Sequence, residues 1–315
     1  MLPKIVVFGS LNMDFVVKVP RLPAPGETAL GSDFQMIPGG KGANQACAVG
    51  RVGQGAVQGS MVGRVGYDLF ADHLKASLSA AGVDVSFVHA TKSAPTGVAL
   101  IWVEAHGQNS IVVASGANHS FDAAEIEAFR PAFAGASYAL FQLESPLSVV
   151  ESALKLARES GAKTILDPAP AHTLSSDILA HVDILTPNES EACLLLGRDS
   201  KRIASADVSE IARQLLALGC GAVVLKLGDA GCFYCDHTVE LALPAFAVDA
   251  IDATAAGDVF NASLAVALAE NKTIEESLRF ASAAAALSVS KMGAQSSVPT
   301  RGEVTSLLFE SLNHQ

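Results

Sequence analysis

The stretch Lys4-Ile5-Val6-Val7-Phe8-Gly9-Ser10-Leu11-Asn12-Met13-Asp14 sets four apolar residues in a row, breaks them with Gly-Ser, and then places an amide and a carboxylate two positions apart. An unbroken apolar run of this length is the mark of a strand covered on both faces, as in a parallel sheet. Similar runs recur at residues 138–143, 164–166, 183–185 and 222–227. Between them lie segments with helical periodicity. Residues 67–81 put Phe70, Leu74, Leu78 and Ala81 on one face, and 149–160, 208–218 and 274–289 read the same way. The alternation predicts an α/β fold, a doubly wound, mostly parallel sheet flanked by helices. Ligands of such sheets bind at the carboxyl ends of the strands, which is where Asn12 and Asp14 fall. Residues two apart in an extended segment face one side, so this pair can grip vicinal hydroxyls. Taken alone, a turn stabilised by the two side chains explains them better.

Two regions depart from the alternation. Residues 12–38 hold Phe15-Val16-Val17-Lys18-Val19 and a second run at 29–37, with Pro20, Pro23 and Pro25 between. Residues 96–114 give runs at 98–103 and 110–113, separated by Glu104-Ala105-His106-Gly107-Gln108-Asn109. Hairpin-connected strands of this kind suit a small antiparallel sheet. No repeat, linker or low-complexity tract divides the chain, so residues 1–315 are expected to form one domain.

Composition narrows the function classes. Half the residues are hydrophobic and few are aromatic, which predicts a core of Ala, Val, Leu and Ile. No run of 18 apolar residues offers a membrane span. The N-terminal run is too short for a signal-peptide core and is expected to be a buried strand. A net charge of −11 argues against nucleic acid as a partner, since phosphate-backbone binding needs a basic face. The five cysteines, with no signal segment, suggest reduced thiols in the cytoplasm. Cys232 and Cys235 form a Cys-x-x-Cys pair, but in a strand they point to opposite faces, and no second pair completes a zinc site.

Two glycine- and alanine-rich stretches carry the chemistry. Asp252-Ala253-Thr254-Ala255-Ala256-Gly257-Asp258 precedes the apolar run Val259-Phe260-Asn261-Ala262-Ser263-Leu264-Ala265-Val266-Ala267-Leu268. A helix is expected to start at about Gly257, and its free N–H groups and dipole make an anion site. Asp258 sits in the first turn. Amides that hold a phosphoryl group, next to a carboxylate that takes a proton from an attacking hydroxyl, suit phosphoryl transfer. An Asp-capped helix after a turn is the plainer reading. The second stretch, Gly39-Gly40-Lys41-Gly42-Ala43-Asn44-Gln45-Ala46, again brings backbone close to something. It is not a Walker A loop, because Gly follows Lys41. The first strand likewise lacks a Gly-x-Gly-x-x-Gly turn, which counts against a dehydrogenase.

Together these stretches resemble the two signatures of the ribokinase-like carbohydrate kinases. Further matches are Pro25-Gly26-Glu27-Thr28, Thr96-Gly97-Val98-Ala99, Gln142-Leu143-Glu144-Ser145-Pro146-Leu147, Pro168-Ala169-Pro170-Ala171, Thr186-Pro187-Asn188-Glu189, Leu227-Gly228-Asp229-Ala230-Gly231 and Gly293-Ala294-Gln295. They cover nearly the whole chain. The resemblance implies an ATP-dependent kinase that phosphorylates D-ribose at its 5-hydroxyl. Sibling activities on deoxyribose, another furanose or a nucleoside stay open, as does a non-catalytic sugar sensor, although Asp258 and Gly257 are both retained.

By the same resemblance Asp258 is the base, and Ala255, Ala256 and Gly257 form the anion hole. The sugar is implied to meet Asn12, Asp14, Gly39, Gly40, Lys41, Asn44, Glu144 and Asp258. ATP is implied to meet Asn188, Lys226, Leu227, Gly228, Asp229, Gly231, Gly257 and Ser282, with Asn188 and Glu191 organising Mg²⁺ through water. A monovalent cation, K⁺, is implied near Asp252, Thr254, Ser288, Lys291, Gly293 and Ser297, mostly on backbone oxygens. Ala253 departs from the Thr that many relatives carry, and Ser282 replaces a larger polar residue near the adenine. The small sheet at 12–38 and 96–114 is implied to be a β lid over the sugar, and such lids pair many family members into homodimers.

Overall fold

The computed structural model describes residues 2–104, 108–199 and 202–313. In chain order its elements are β1 (Lys4–Phe8), β2 (Asn12–Val19), β3 (Ser32–Gly39), α1 (Lys41–Val52), β4 (Gln58–Gly66), α2 (Leu69–Ala80), β5 (Val83–Thr91), β6 (Gly97–Glu104) and β7 (Asn109–Ala114). There follow α3 (Arg130–Phe133), β8 (Ala136–Phe141), α4 (Leu147–Glu159), β9 (Lys163–Leu166), α5 (Ser176–Leu179), β10 (Ile184–Leu185), α6 (Glu189–Leu195) and α7 (Val208–Leu216). The chain continues through β11 (Ala222–Lys226), β12 (Cys232–Asp236), β13 (Glu240–Leu243), α8 (Ala256–Ala269), α9 (Ile274–Val289) and α10 (Arg301–Asn313).

The large sheet has the order β13-β12-β11-β10-β9-β8-β1-β4-β5. Pairing is parallel from β5 through β11 and antiparallel for β12 and β13. Burial on two sides explains the unbroken apolar runs. In β1, Val6 and Phe8 belong to one core, while Ile5 and Val7 belong to the core on the other face. Cys232 and Cys235 of β12 likewise point into different cores, as their spacing predicts, and all five cysteines are free and buried.

Helix ends follow local chemistry. The helix expected over 67–81 begins at Leu69 because the Asp68 carboxylate accepts from the Ala71 N–H at 3.1 Å. Ile274–Val289 runs over the expected span, opened by a capping box between Thr273 and Glu276. α1 docks against the turn after β1 because Gly42 has no side chain: a Cβ there would lie 2.6 Å from the Gly9 carbonyl carbon. α8 packs among α1, α9 and the sheet, and is buried on nearly all sides.

The small sheet has the order β3-β2-β6-β7. β2–β3 and β6–β7 pair antiparallel, and the two hairpins join through parallel pairing of β2 with β6. Of the turn expected between β6 and β7, residues 105–107 lie outside the described residues. Among the described residues, no helix is long and apolar enough to cross a membrane.

Candidate active site

Because β1, β8, β9, β10 and β11 run in one direction, the residues that follow them gather at one edge, opposite the N-termini of α1 and α8. Asp258, in the first turn of α8, is 4% exposed. Its two oxygens accept from Asn44 Nδ2 and Gln45 Nε2, each at 3.1 Å. Burial, opposed by Lys41 and reinforced by Asp167, pushes its carboxyl up to about 6. Ala255 caps the helix from the left-handed region, φ 60, with no side-chain cap. The Ala256 N–H donates to the Ala253 carbonyl at 3.3 Å, while the other first-turn amides of a helix have no partner within it, so those of Gly257 and Asp258, with that of Ala255, are open beside the carboxylate.

A cavity of about 710 Å³ opens from this point. It is lined by Lys41, Asp167, Asn188, Glu191, Lys226 and Asp258 at its polar end and by Phe246, Val248 and Ala285 farther out. Gly228, Asp229, Gly231 and Ser282 line it too. Leu227 does not; it packs on the core below the turn, and its N–H donates to the Gly231 carbonyl. Asn188 and Glu191 form the capping box of α6, with Glu191 Oε2 accepting from the Asn188 N–H at 2.8 Å. Burial raises the Glu191 carboxyl, with Lys226 opposing. On Lys41, burial acts to lower the ammonium, but Asp258, Asp167, Glu144 and Glu191 outweigh it and hold it above the ordinary lysine range.

The other sugar candidates form a polar cluster next to this cavity. Asn12 and Asp14 face one way on β2, with Asn12 opposite Gly39 and Gly97 on the neighbouring strands. Asn12 Oδ1 accepts from Asn118 Nδ2 at 2.8 Å. The Asp14 carboxylate lies over Gly39, where a Cβ would sit 2.1 Å from Oδ2. Burial, then the charge of Glu144, pushes Asp14 up to about 7. Glu144 accepts from Ser10 Oγ and, at 3.1 Å, from the Lys41 N–H. Gly40 opens α1 with φ 89.

The cation candidates fall on two segments held together by one carboxylate. Asp252 Oδ1 accepts from Thr254 N–H and Oγ1 (2.9 and 2.6 Å), and Oδ2 accepts from the Gly293 N–H at 2.8 Å. Ser288 and Ser297 donate to nearby carbonyls, and Lys291 pairs with Glu303.

Five residues here lay outside the sequence-derived site. Gln45, Asp167, Asn118 and Ser10 bond to members of it, and Gln142 donates to Gln45. Gln142 and Asp167 are the first residues after β8 and β9, so the strand-end rule applied to every strand finds them. Asn118 lies in a short 3₁₀ turn and has no sequence signal.

The pfkB family carbohydrate kinase model matches residues 2–301. The chain is 40% identical over 304 residues to the ribokinase of Haemophilus influenzae, covering 96% of this chain and 98% of that protein. It is 41% identical over 304 residues to the ribokinase of Bacillus subtilis, covering 96% and 99%. The structure of Arabidopsis thaliana ribokinase complexed with ribose and ATP superposes with a TM-score of 0.88 at 34% identity, covering 98% of this chain and 99% of that one. The fold and the site thus define an ATP-dependent carbohydrate kinase. The chain belongs to the pfkB family.

Proposed function

We propose that the enzyme transfers the γ-phosphoryl group of ATP to O5 of D-ribose, giving D-ribose 5-phosphate and ADP. The observation that carries this reading is the position of Asp258. It lies where the polar cluster of β2 and Glu144 meets the cavity, at an open helix N-terminus. The ribokinases of H. influenzae and B. subtilis supply the choice of ribose.

In this reading Asn12, Asp14, Gly39, Gly40, Lys41, Asn44 and Glu144 hold the sugar. Carboxylates as deeply set as Asp14 and Glu144 need donors, and sugar hydroxyls are donors. Asp258 accepts the 5-hydroxyl proton as O5 attacks the γ-phosphorus and the bond to the β-phosphate oxygen breaks. Asn44 and Gln45 fix the base without neutralising it. The amides of Ala255, Gly257 and Asp258 receive the migrating phosphoryl, with Ala256 holding the turn through its bond to the Ala253 carbonyl. The turn at Gly228, Asp229 and Gly231, with Leu227 beneath it, and Ser282 border the rest of ATP; Asn188 and Lys226 border its phosphates. Asn188 and Glu191 line the cavity with their side-chain oxygens engaged in the α6 cap, which fits Mg²⁺ held through its water shell and not by direct ligation. When bound, that ion neutralises phosphate charge.

The side chains of Asp252, Ser288, Lys291 and Ser297 are engaged internally, which fits a K⁺ held by backbone oxygens around residues 252–254 and 288–297. We read residues 1–315 as one kinase domain in which the small sheet is a lid, paired with a second copy, in a cytoplasmic enzyme. The test is ATP turnover over D-ribose, deoxyribose, fructose and nucleosides. Ribose is expected to give the highest kcat/KM, with the phosphate on O5. A nucleoside or another sugar ahead of ribose would replace this reading.

A further inference from the structure

Lys226 ends β11, Asp167 follows β9, and the two form an ion pair of 3.0 Å whose side chains are only 14% and 4% exposed. Such pairs contribute little to stability, because desolvation offsets their attraction. The position of this one suits another purpose. A carbon built on Gly257 would lie 3.3 Å from Lys226 Nζ, so the ammonium stands at the first turn of α8. Asp167 Oδ2 accepts from Gln45 Nε2 at 3.4 Å, and the same nitrogen donates to Asp258 at 3.1 Å. Base, Gln45, Asp167 and Lys226 are therefore a continuous chain around the anion site. The polar end of the cavity carries the carboxylates of Asp167, Glu191 and Asp258 against the ammonium groups of Lys41 and Lys226. A polyphosphate entering there meets repulsion unless a cation stands at its terminal group. An ammonium has three donors, and among the described residues Asp167 takes one.

We infer that Lys226 is a catalytic cation of the phosphoryl-transfer step: its ammonium contacts the transferred γ-phosphoryl at the first turn of α8, and Asp167 is the positioning residue that aims it. The assignment rests on the kinase reading above. Lys226 touches the group that leaves with the sugar and not the group retained in ADP. It therefore separates ATP from ADP.

The test is equilibrium binding of ADP and of β,γ-imido-ATP to the parent, to Lys226→Gln and to the neutral pair Asp167→Asn/Lys226→Met, which leaves no buried charge unpaired. Removing a charge-assisted contact weakens imido-ATP by about tenfold or more. ADP is expected to stay within about threefold of the parent, and kcat to fall with ribose KM unchanged. The pH profile gives an independent readout. Lys226→Met leaves Asp167 uncompensated near Asp258 and moves the acid limb of kcat/KM upward, and the neutral pair moves it back. Equal losses for both nucleotides, or none, in Lys226→Gln and the neutral pair overturn the role of Lys226. An acid limb unmoved in Lys226→Met overturns the coupling through Asp167. A parent that binds neither nucleotide overturns the kinase reading itself, and a parent that turns over a sugar other than ribose leaves this inference standing.

Discussion

Asp258 has its ionised form favoured by the helix end and two amide donors, and disfavoured more strongly by burial. A base must be ionised to accept a proton, so kcat/KM should rise with pH through about 6, the value to which its carboxyl is pushed. Asp258→Asn keeps the shape, yet cannot take the proton. We expect kcat to fall by about a hundredfold or more with the fold intact; turnover within a few-fold of the parent would leave Asp258 only a structural acceptor for Asn44 and Gln45. Asp14 gives a prediction of opposite character. Its folded carboxyl stands at about 7 against an ordinary 3.8. A raised folded value means the stability it contributes is full below about 3.8 and is lost as pH rises through about 7. Asn cannot ionise, so Asp14→Asn should melt above the parent at pH 8 and with it at pH 4, while ribose KM rises. Calorimetry showing no gain at pH 8 would contradict the buried-charge account. Asn12, Asp14 and Asp258 were legible because each follows a strong local pattern. Asp167 is reachable by the strand-end rule, but the role of Gln45 was not legible, because it arises from contacts with Asp167 and Asp258, 122 and 213 positions away.

At the scale of elements, β1 and β8 to β11 show their two-sided burial as apolar runs and were readable. β4 was not: Gln58-Gly59-Ser60-Met61-Val62-Gly63-Arg64-Val65-Gly66 is almost wholly buried yet carries three glycines, which let α1, the turn after β1 and the 95–96 turn approach its backbone. β5 alternates Val83, Val85 and Phe87 with Asp84 and Ser86, an edge-strand pattern easily read as a loop. The 252–254 loop and the 288–297 segment are distant in sequence and tied by Asp252. Burial acts to raise its carboxyl, but the bonds from Thr254 and Gly293 outweigh this and hold it below the ordinary range. The K⁺ reading depends on that tie. Activity should be higher in K⁺ than in Na⁺ or tetramethylammonium, and Asp252→Ala should flatten the difference. Equal rates of the parent in all three salts would remove the cation site.

Across the whole molecule, the small sheet leaves apolar surface uncovered. Phe34, Met36, Ile111, Val112 and Val113 are each about half exposed or more, and β7 pairs on one side only. An apolar free edge of this kind invites strand pairing. Light scattering should report twice the chain mass for the parent and one chain mass for Ile111→Lys/Val113→Lys. A monomeric parent would discard the paired lid. The interior carries the opposite quality. Burial pushes the thiols of Cys47, Cys220 and Cys232 up to about 11, 12 and 11, and raises Cys235 as well. Disulfide exchange and alkylation proceed through a reachable thiolate, and the five native cysteines are all buried. The protein comes with a chemically quiet background: a single cysteine introduced on the small sheet would take a fluorophore almost alone, so that whether this sheet moves during turnover becomes something that can be watched.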